Sequence, residues 1–313
     1  MTIVPKPLLA SGDFMADRRA DYAAMLAEGG DPAAAAELME QALELTPAWA
    51  AGWFQLGEYR QKAGHSDTAI PAYRRTLELA PDDIFGAFLK LVSLGAGDRH
   101  GIPPSQYIES LFDDYADRFD AALVGRLDYT VPGKLMHLIG KHVPGPYGHV
   151  VDLGCGTGLF GAEIHGDCAY LEGYDLSENM LAKAEAKGLY QHLAKADLLL
   201  EPAASGLFEG RAAQRADLVT ASDVMIYLGP LKTIFANAAA LLKPTGSFAF
   251  SVEKSALDTG FELLASLRYA HSAAYVTEML VAHGMQAFAM EETAIRMDAG
   301  EPITGLLFLA RST

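Results

Sequence analysis

"VVDLGCGTGLFG", Val150 to Gly161, is the stretch that decides how this chain is read. A hydrophobic run halts at Asp152, and four of the next nine positions are glycine. That pattern predicts a buried strand, a turn of bare backbone and a helix opening near Leu159. Glycine adopts positive φ without strain and lets a ligand lie on the main chain. In open α/β sheets, ligands sit beyond the carboxyl ends of the strands. Working outward, strands are predicted at 149–152, 169–174, 191–194, 216–221, 247–252, 285–291 and 303–310, with helices in the gaps between the first six. Alternation of this kind gives a mostly parallel sheet covered on both faces. The last two strands have no helix between them and should form an antiparallel hairpin.

The loop alone does not choose its ligand. Gly156, Gly158 and Gly161 satisfy G-x-G-x-x-G, so a nicotinamide or flavin nucleotide is one reading. A second pattern points elsewhere: Asp152 precedes the glycines, Asp175 ends the next strand in "LEGYDLS", and Asp197 follows the third in "LAKADLL". Asp175 also competes for the helix N-cap, a role Ser177 fills better. A carboxylate suits two vicinal hydroxyls because it accepts from both.

With D-x-G-x-G-x-G and one acid after each of three strands, the region from about Phe112 onward resembles the class I S-adenosylmethionine-dependent methyltransferases. The resemblance implies a Rossmann-like, doubly wound, seven-stranded sheet of the α/β class. It also implies that Asp152, Gly154, Gly156 and Gly158 hold the methionine part, Asp175 the ribose, with Leu176 and Met180 beside it, and Asp197 with Leu198 the adenine edge. The implied cofactor carries a sulfonium cation and no phosphate, which an acid-lined cleft favours. "ADLVTASDVMIYLG", from Ala216, resembles the family's fourth-strand motif and makes Asp223 and Tyr227 substrate-side candidates, and "FSVE" puts Ser251 and Glu253 at the cleft rim. No N-P-P-Y or D-P-P-Y occurs, which lowers adenine and glutamine amide nitrogens as acceptors. For a hydroxyl, phenol or amine acceptor a general base is needed; His271, Asp223, Tyr227 and Tyr115 are the available types, although His271 also fits a capping or packing role. A carboxylate acceptor needs none.

The first ninety residues repeat themselves. Ala35, Met39, Ala42 and Pro47 recur as Ala69, Tyr73, Thr76 and Pro81, at an offset of 34 that Gly30 and Gly64 share. That is the tetratricopeptide period, and "WFQLGEYRQKAGHSDTAIPAYRRTLELAPDD" resembles one such repeat, with Trp53, Leu56 and Gly57 in place. The expected domains are helical repeats at 1–100 and a methyltransferase domain at 101–313, the latter with lid helices at 101–147 and a core at 148–313. "GAGDRHGIPPS" is the linker, and Tyr107, Phe112, Tyr115, Phe119 and Tyr129 are candidates to close over the cleft. The whole arrangement looks like a group of tetratricopeptide-containing methyltransferases.

Composition narrows the partners. The chain has 313 residues and a formal net charge of -16, which repels a phosphate backbone; no nucleic acid partner is expected. Two cysteines, Cys155 and Cys168, give no disulfide framework and suit a reducing cytoplasm. No signal segment or membrane span is expected, and the nine histidines lack metal-ligand spacing. The leading expectation is a cytoplasmic methyltransferase of a small molecule, its repeats serving oligomerisation or docking. A protein methyltransferase recruiting its substrate through the repeats, a non-catalytic adaptor and a nicotinamide oxidoreductase are the alternatives.

Overall fold

The structure, a computed structural model, describes residues 10–116, 130–298 and 300–313. The chain divides into two compact units, Met1–Asp114 and Tyr115–Thr313, each considered separately below. No described helix is long and apolar enough to cross a membrane.

The first unit is all-α. Helices α1 (Phe14–Glu28), α2 (Pro32–Leu45), α3 (Ala50–Lys62) and α4 (Ser66–Leu79) follow one another, then α5 (Ala87–Ser93) and α6 (Ser105–Tyr115). Helix α4 starts and ends 34 residues after α2, as the sequence period requires. Small residues set the packing: a Cβ on Gly57 would come within 2.6 Å of the Tyr73 ring, so only glycine admits that aromatic. Tyr107 packs against Gly86 within this unit. Phe119 and Tyr129 lie outside the described residues.

The second unit begins with α7 (Val131–His142), followed by β1 (Val150–Leu153), α8 (Leu159–Ile164), β2 (Leu171–Asp175), α9 (Glu178–Lys187), β3 (His192–Lys195) and β4 (Ala216–Ala221). After these come α10 (Lys232–Leu241), β5 (Leu242–Lys254), β6 (Phe261–Leu263), β7 (Tyr269–His271), α11 (Ala273–Ala282), β8 (Met285–Asp298) and β9 (Glu301–Ser312). The strands run in the order β3-β2-β1-β4-β5, parallel throughout, with β9 antiparallel to β5 and β8 antiparallel to β9. Consecutive residues point to opposite faces. Val150, Leu218, Leu307 and Leu309 enter one apolar layer with α7 and α8, while Val151, Val219, Phe248 and Phe308 enter another with α10 and α11.

Three expectations are corrected. The sheet has nine strands among the described residues, because the short hairpin β6–β7 adds to the seven expected and pairs with the far end of β5. Between β3 and β4 there is no helix: Gly206, Gly210 and Gln214 take positive φ there, and Pro202 adds a further break. Helix α7, expected as part of a lid, is a core layer instead, burying Val131, Leu135, Leu138 and Ile139 against the sheet.

Candidate functional site

The parallel register brings Asp152 and Asp175 to one edge of the sheet, with Asp197 just past the end of the next strand, β3. Between them lies the loop from Gly154 to Gly158, whose three glycines have φ of +63°, +54° and +86°. These are left-handed values that L side chains rarely adopt. A Cβ on Gly154 would meet the Val224 side chain at 2.5 Å, so the glycine loop and the loop after β4 pack directly on each other.

Asp175 is 8 % exposed. One carboxylate oxygen accepts the Gly156 N–H at 2.8 Å and the other the Ser177 N–H at 2.9 Å, fixing the carboxylate against the loop. Ser177 caps α9 by accepting from the Met180 N–H at 3.1 Å. Met180 is buried, Leu176 half-buried. Asp197 accepts the Leu199 N–H at 2.9 Å in a turn, with Leu198 buried beside it.

Asp152 sits deeper than a ligand-facing role suggests. It is 1 % exposed, and its two oxygens accept from the Tyr190 hydroxyl and the Thr220 hydroxyl, each at 2.8 Å. Burial pushes its carboxyl up to about 7, against the pull of Tyr190 and Thr220. Nothing in the sequence singles out Tyr190, whose ring fills a slot made by three glycines: a Cβ on Gly161, Gly173 or Gly158 would lie 2.5, 2.7 or 3.0 Å from it. Gly161, the third glycine of G-x-G-x-x-G, therefore serves an internal tyrosine. Because Asp152 binds its proton more tightly folded than unfolded, stability falls as pH rises from about 4 toward 7. Asp152→Asn should flatten that dependence by up to one proton's worth, about 1.4 kcal/mol per pH unit, in urea titrations across this range; an unchanged slope would contradict the assignment.

On the other side of the glycine loop, Asp223 follows β4 at φ +58°, its N–H donating to Ser251 Oγ at 2.8 Å. Arg296 of β8 places one guanidinium nitrogen 2.9 and 3.1 Å from the two Asp223 oxygens and gives another to Glu253 of β5. Tyr227 closes the short turn Met225–Tyr227 in the same loop, near enough to bear on the charge of Arg296. Arg296 escaped the sequence reading; its one signal was an arginine inside an alternating strand. Tyr115 ends α6, and its side chain lies outside the described residues.

His271 is corrected as a candidate base. It is fully buried, and its Nε2 donates to the carbonyls of Gly229 at 2.8 Å and Leu228 at 3.2 Å. Burial pushes its pKa down to about 4. A neutral ring that spends its proton on backbone, out of contact with solvent, ties β7 to the loop after β4. Among the described residues no cluster of three or more His, Cys, Asp or Glu could hold a metal ion.

A glycine cradle, a carboxylate fixed at its lip and a second loop pressed against it together fit a nucleoside-bearing ligand. Comparison with known proteins agrees. Residues 151–248 match the model of a methyltransferase domain. Methyltransferase-like protein 27 of Homo sapiens is 36 % identical over 106 residues, 33 % of this chain and 43 % of that protein. The ubiquinone biosynthesis O-methyltransferase of Coxiella burnetii is 29 % identical over 104 residues, 33 % of this chain and 42 % of that one. The matched region thus spans about two fifths of the length of these curated relatives. The structure of Burkholderia thailandensis 1,6-didemethyltoxoflavin-N1-methyltransferase, with 1,6-didemethyltoxoflavin and S-adenosylhomocysteine bound, superposes with a TM-score of 0.53 at 20 % identity, covering 69 % of this chain and 93 % of that one. The chain therefore carries a region that matches a methyltransferase domain, with the fold of the S-adenosylmethionine-dependent methyltransferases, preceded in sequence by an all-α region.

Proposed function

We propose that this chain transfers a methyl group from S-adenosylmethionine to a small-molecule acceptor held against Asp223 and Tyr227. The observation that carries the reading is the contact of Gly154 with Val224, which sets the cofactor loop and the acceptor-side loop side by side. The two relatives named for their substrates, the ubiquinone and toxoflavin enzymes, support a small molecule as acceptor.

When bound, the cofactor supplies an electrophilic methyl on a sulfonium. Gly154, Gly156 and Gly158 receive its methionine part on bare backbone, with Asp152 bracing the loop from below through Tyr190 and Thr220. Asp175, fixed at the lip by the Gly156 and Ser177 N–H groups, takes the two ribose hydroxyls, since a carboxylate accepts from both. Leu176 and Met180 line that end, and Asp197 with Leu198 meets the adenine edge. Transfer is an in-line displacement, so the protein's chief task is to align the acceptor, and Asp223, Tyr227 and Tyr115 are the groups placed to do so or to take its proton.

The helical unit serves docking or self-association. It has an open groove of about 730 Å³ lined by Pro47, Trp49, Pro81 and Phe85 among others, and this groove favours the second reading, in which a protein substrate is recruited there. The pair of free cysteines fits a reducing cytoplasm. Calorimetry with S-adenosylhomocysteine and with NAD, followed by transfer of tritiated methyl into size-separated extract fractions, tests the assignment. S-adenosylhomocysteine binding with label in the low-mass fraction is expected. Label confined to protein would favour the second reading, and binding of NAD alone would overturn both.

A further inference from the structure

Five of the eight buried side-chain polar atoms without a hydrogen-bond partner among the described residues belong to Ser222, Arg268, Tyr269, His271 and Arg296. They come from the loop after β4, the approach to and body of β7, and β8. Native proteins leave few such groups, and each calls for a cause. The same elements supply a chain of alternating charges. Asp298 pairs with Arg268, whose Nε stands 3.8 Å from Glu253; Glu253 and Asp223 both pair with Arg296. Side-chain exposure falls from 44 % at Asp298 to 3 % at Arg296 and is 14 % at Asp223 beyond it.

The backbone is bent to bring Arg296 here. Strand β8 alternates in and out up to the second of its two bulges, where Ala294 pairs with Thr304 but Arg296 with Ile303. The extra residue makes Ile295 and Arg296 buried in succession. A bulge re-aims a side chain and is over-represented beside active sites. Gly305 makes the room, since a Cβ there would meet Ile295 at 2.4 Å. Opposite, Asp223 holds a left-handed conformation that non-glycine residues seldom adopt. Two strained or irregular backbone sites face each other across one ion pair.

We infer that Arg296 is a positioning residue, holding Asp223 as the proton acceptor for a neutral O–H or N–H nucleophile. This rests on the methyltransferase reading above. Three carboxylates, Asp223, Glu253 and Asp298, outnumber the two guanidiniums, so a carboxylate acceptor is repelled and has no proton to give. A hydroxyl, phenol or neutral amine has one. Its oxygen or nitrogen forms the bond to the methyl carbon while the carbon–sulfur bond breaks, the electron pair staying on sulfur to leave S-adenosylhomocysteine. The nucleophile's proton passes to an Asp223 oxygen. Facing Asp223 are Arg296 from β8, Arg268 ahead of β7 and Glu253 from β5, and Tyr227 of its own loop bears on Arg296. Burial raises the Asp223 carboxyl and Arg296, then Arg268, pull it back, leaving it above the usual range. Without Arg296 it keeps its proton to higher pH.

The test compares wild type, Arg296→Gln and Arg296→Lys. With tritiated methyl donor and the low-mass extract fraction, Arg296→Gln should lose about tenfold in transfer at pH 7. The acid limb of its kcat profile should move up by about one pH unit. Arg296→Lys should recover most of both, while S-adenosylhomocysteine affinity stays within about twofold in each variant. A carbon-13 titration of the Asp223 carboxyl, identified by its loss in Asp223→Asn, reads the same movement without any acceptor. An unmoved acid limb, or an Asp223 titration alike in wild type and both variants, overturns the inference. Failure of the wild type to bind S-adenosylhomocysteine would instead remove the reading beneath it.

Discussion

Asp175→Ala is expected to weaken S-adenosylhomocysteine binding by about 100-fold or more, measured by calorimetry. A hydrogen bond to a charged group contributes about 1.5–3 kcal/mol, and a tenfold change in affinity corresponds to about 1.4 kcal/mol. Two ribose hydroxyls on one carboxylate therefore account for at least two orders of magnitude. The same substitution strips the acceptor from the Gly156 and Ser177 N–H groups, loosening the cradle that the ligand lies on. Asp175→Asn keeps the shape and one accepting oxygen, so it should fall between. Affinity unchanged in the alanine variant would detach the ribose from Asp175 and, with it, the three-acid edge as a cofactor site.

The largest effect on stability should come from Glu172, which takes no part in the proposed chemistry. It lies in β2 with no exposed side-chain surface, and it collects Arg211 at 2.7 Å, Arg215 at 2.7 Å, the Tyr174 hydroxyl at 2.9 Å and His149 Nε2 at 2.9 Å. Arg211 and Arg215 belong to the irregular segment that stands where a helix was expected between β3 and β4. Glu172 thus fastens that segment to the sheet. Breaking a buried pair by removing one partner costs about 3–5 kcal/mol, because the remaining charges are left uncompensated. Glu172→Ala should lose stability of that order in chemical denaturation, and Glu172→Gln less. Burial pushes the Glu172 carboxyl up, but Arg215, Tyr174 and His149 outweigh it and hold it below the usual range. Its contribution is therefore complete above the unfolded carboxylate pKa of about 4.3 and is lost as pH falls through the lower folded value. A loss under about 0.5 kcal/mol in Glu172→Ala would show the cluster to be ornamental.

Much of the second unit was legible because its signals are local. A hydrophobic run ending in Asp152, glycines demanding positive φ, and Ser177 placed to cap a helix are all readable within a dozen residues. Strands β1 to β4 and β9 came out within two residues of their observed ends for the same reason, whereas β5 begins five residues earlier and β8 runs seven residues further than expected. What was missed depends on residues distant in the chain. Tyr190 is an unremarkable aromatic until Asp152, Gly161 and Gly173 are folded around it. Arg296 reaches Asp223 only because a bulge turns two successive side chains inward, and a two-residue period cannot foresee a break in itself. The segment between β3 and β4 looked like room for a helix by length alone, while its glycines and Glu172, far upstream, argued otherwise. His271 was ambiguous in sequence and was decided by backbone carbonyls more than forty residues away.

The tyrosine lodged among the glycines bears on how this chain can diverge. Gly161 is bare for the sake of one phenol ring, and Gly173 for that ring and the Leu193 side chain, so the positions are coupled by steric fit. A descendant that shortens residue 190 to a small side chain opens a void beneath the nucleotide loop and, in the same stroke, frees Gly161 to acquire a methyl group that would partly fill it.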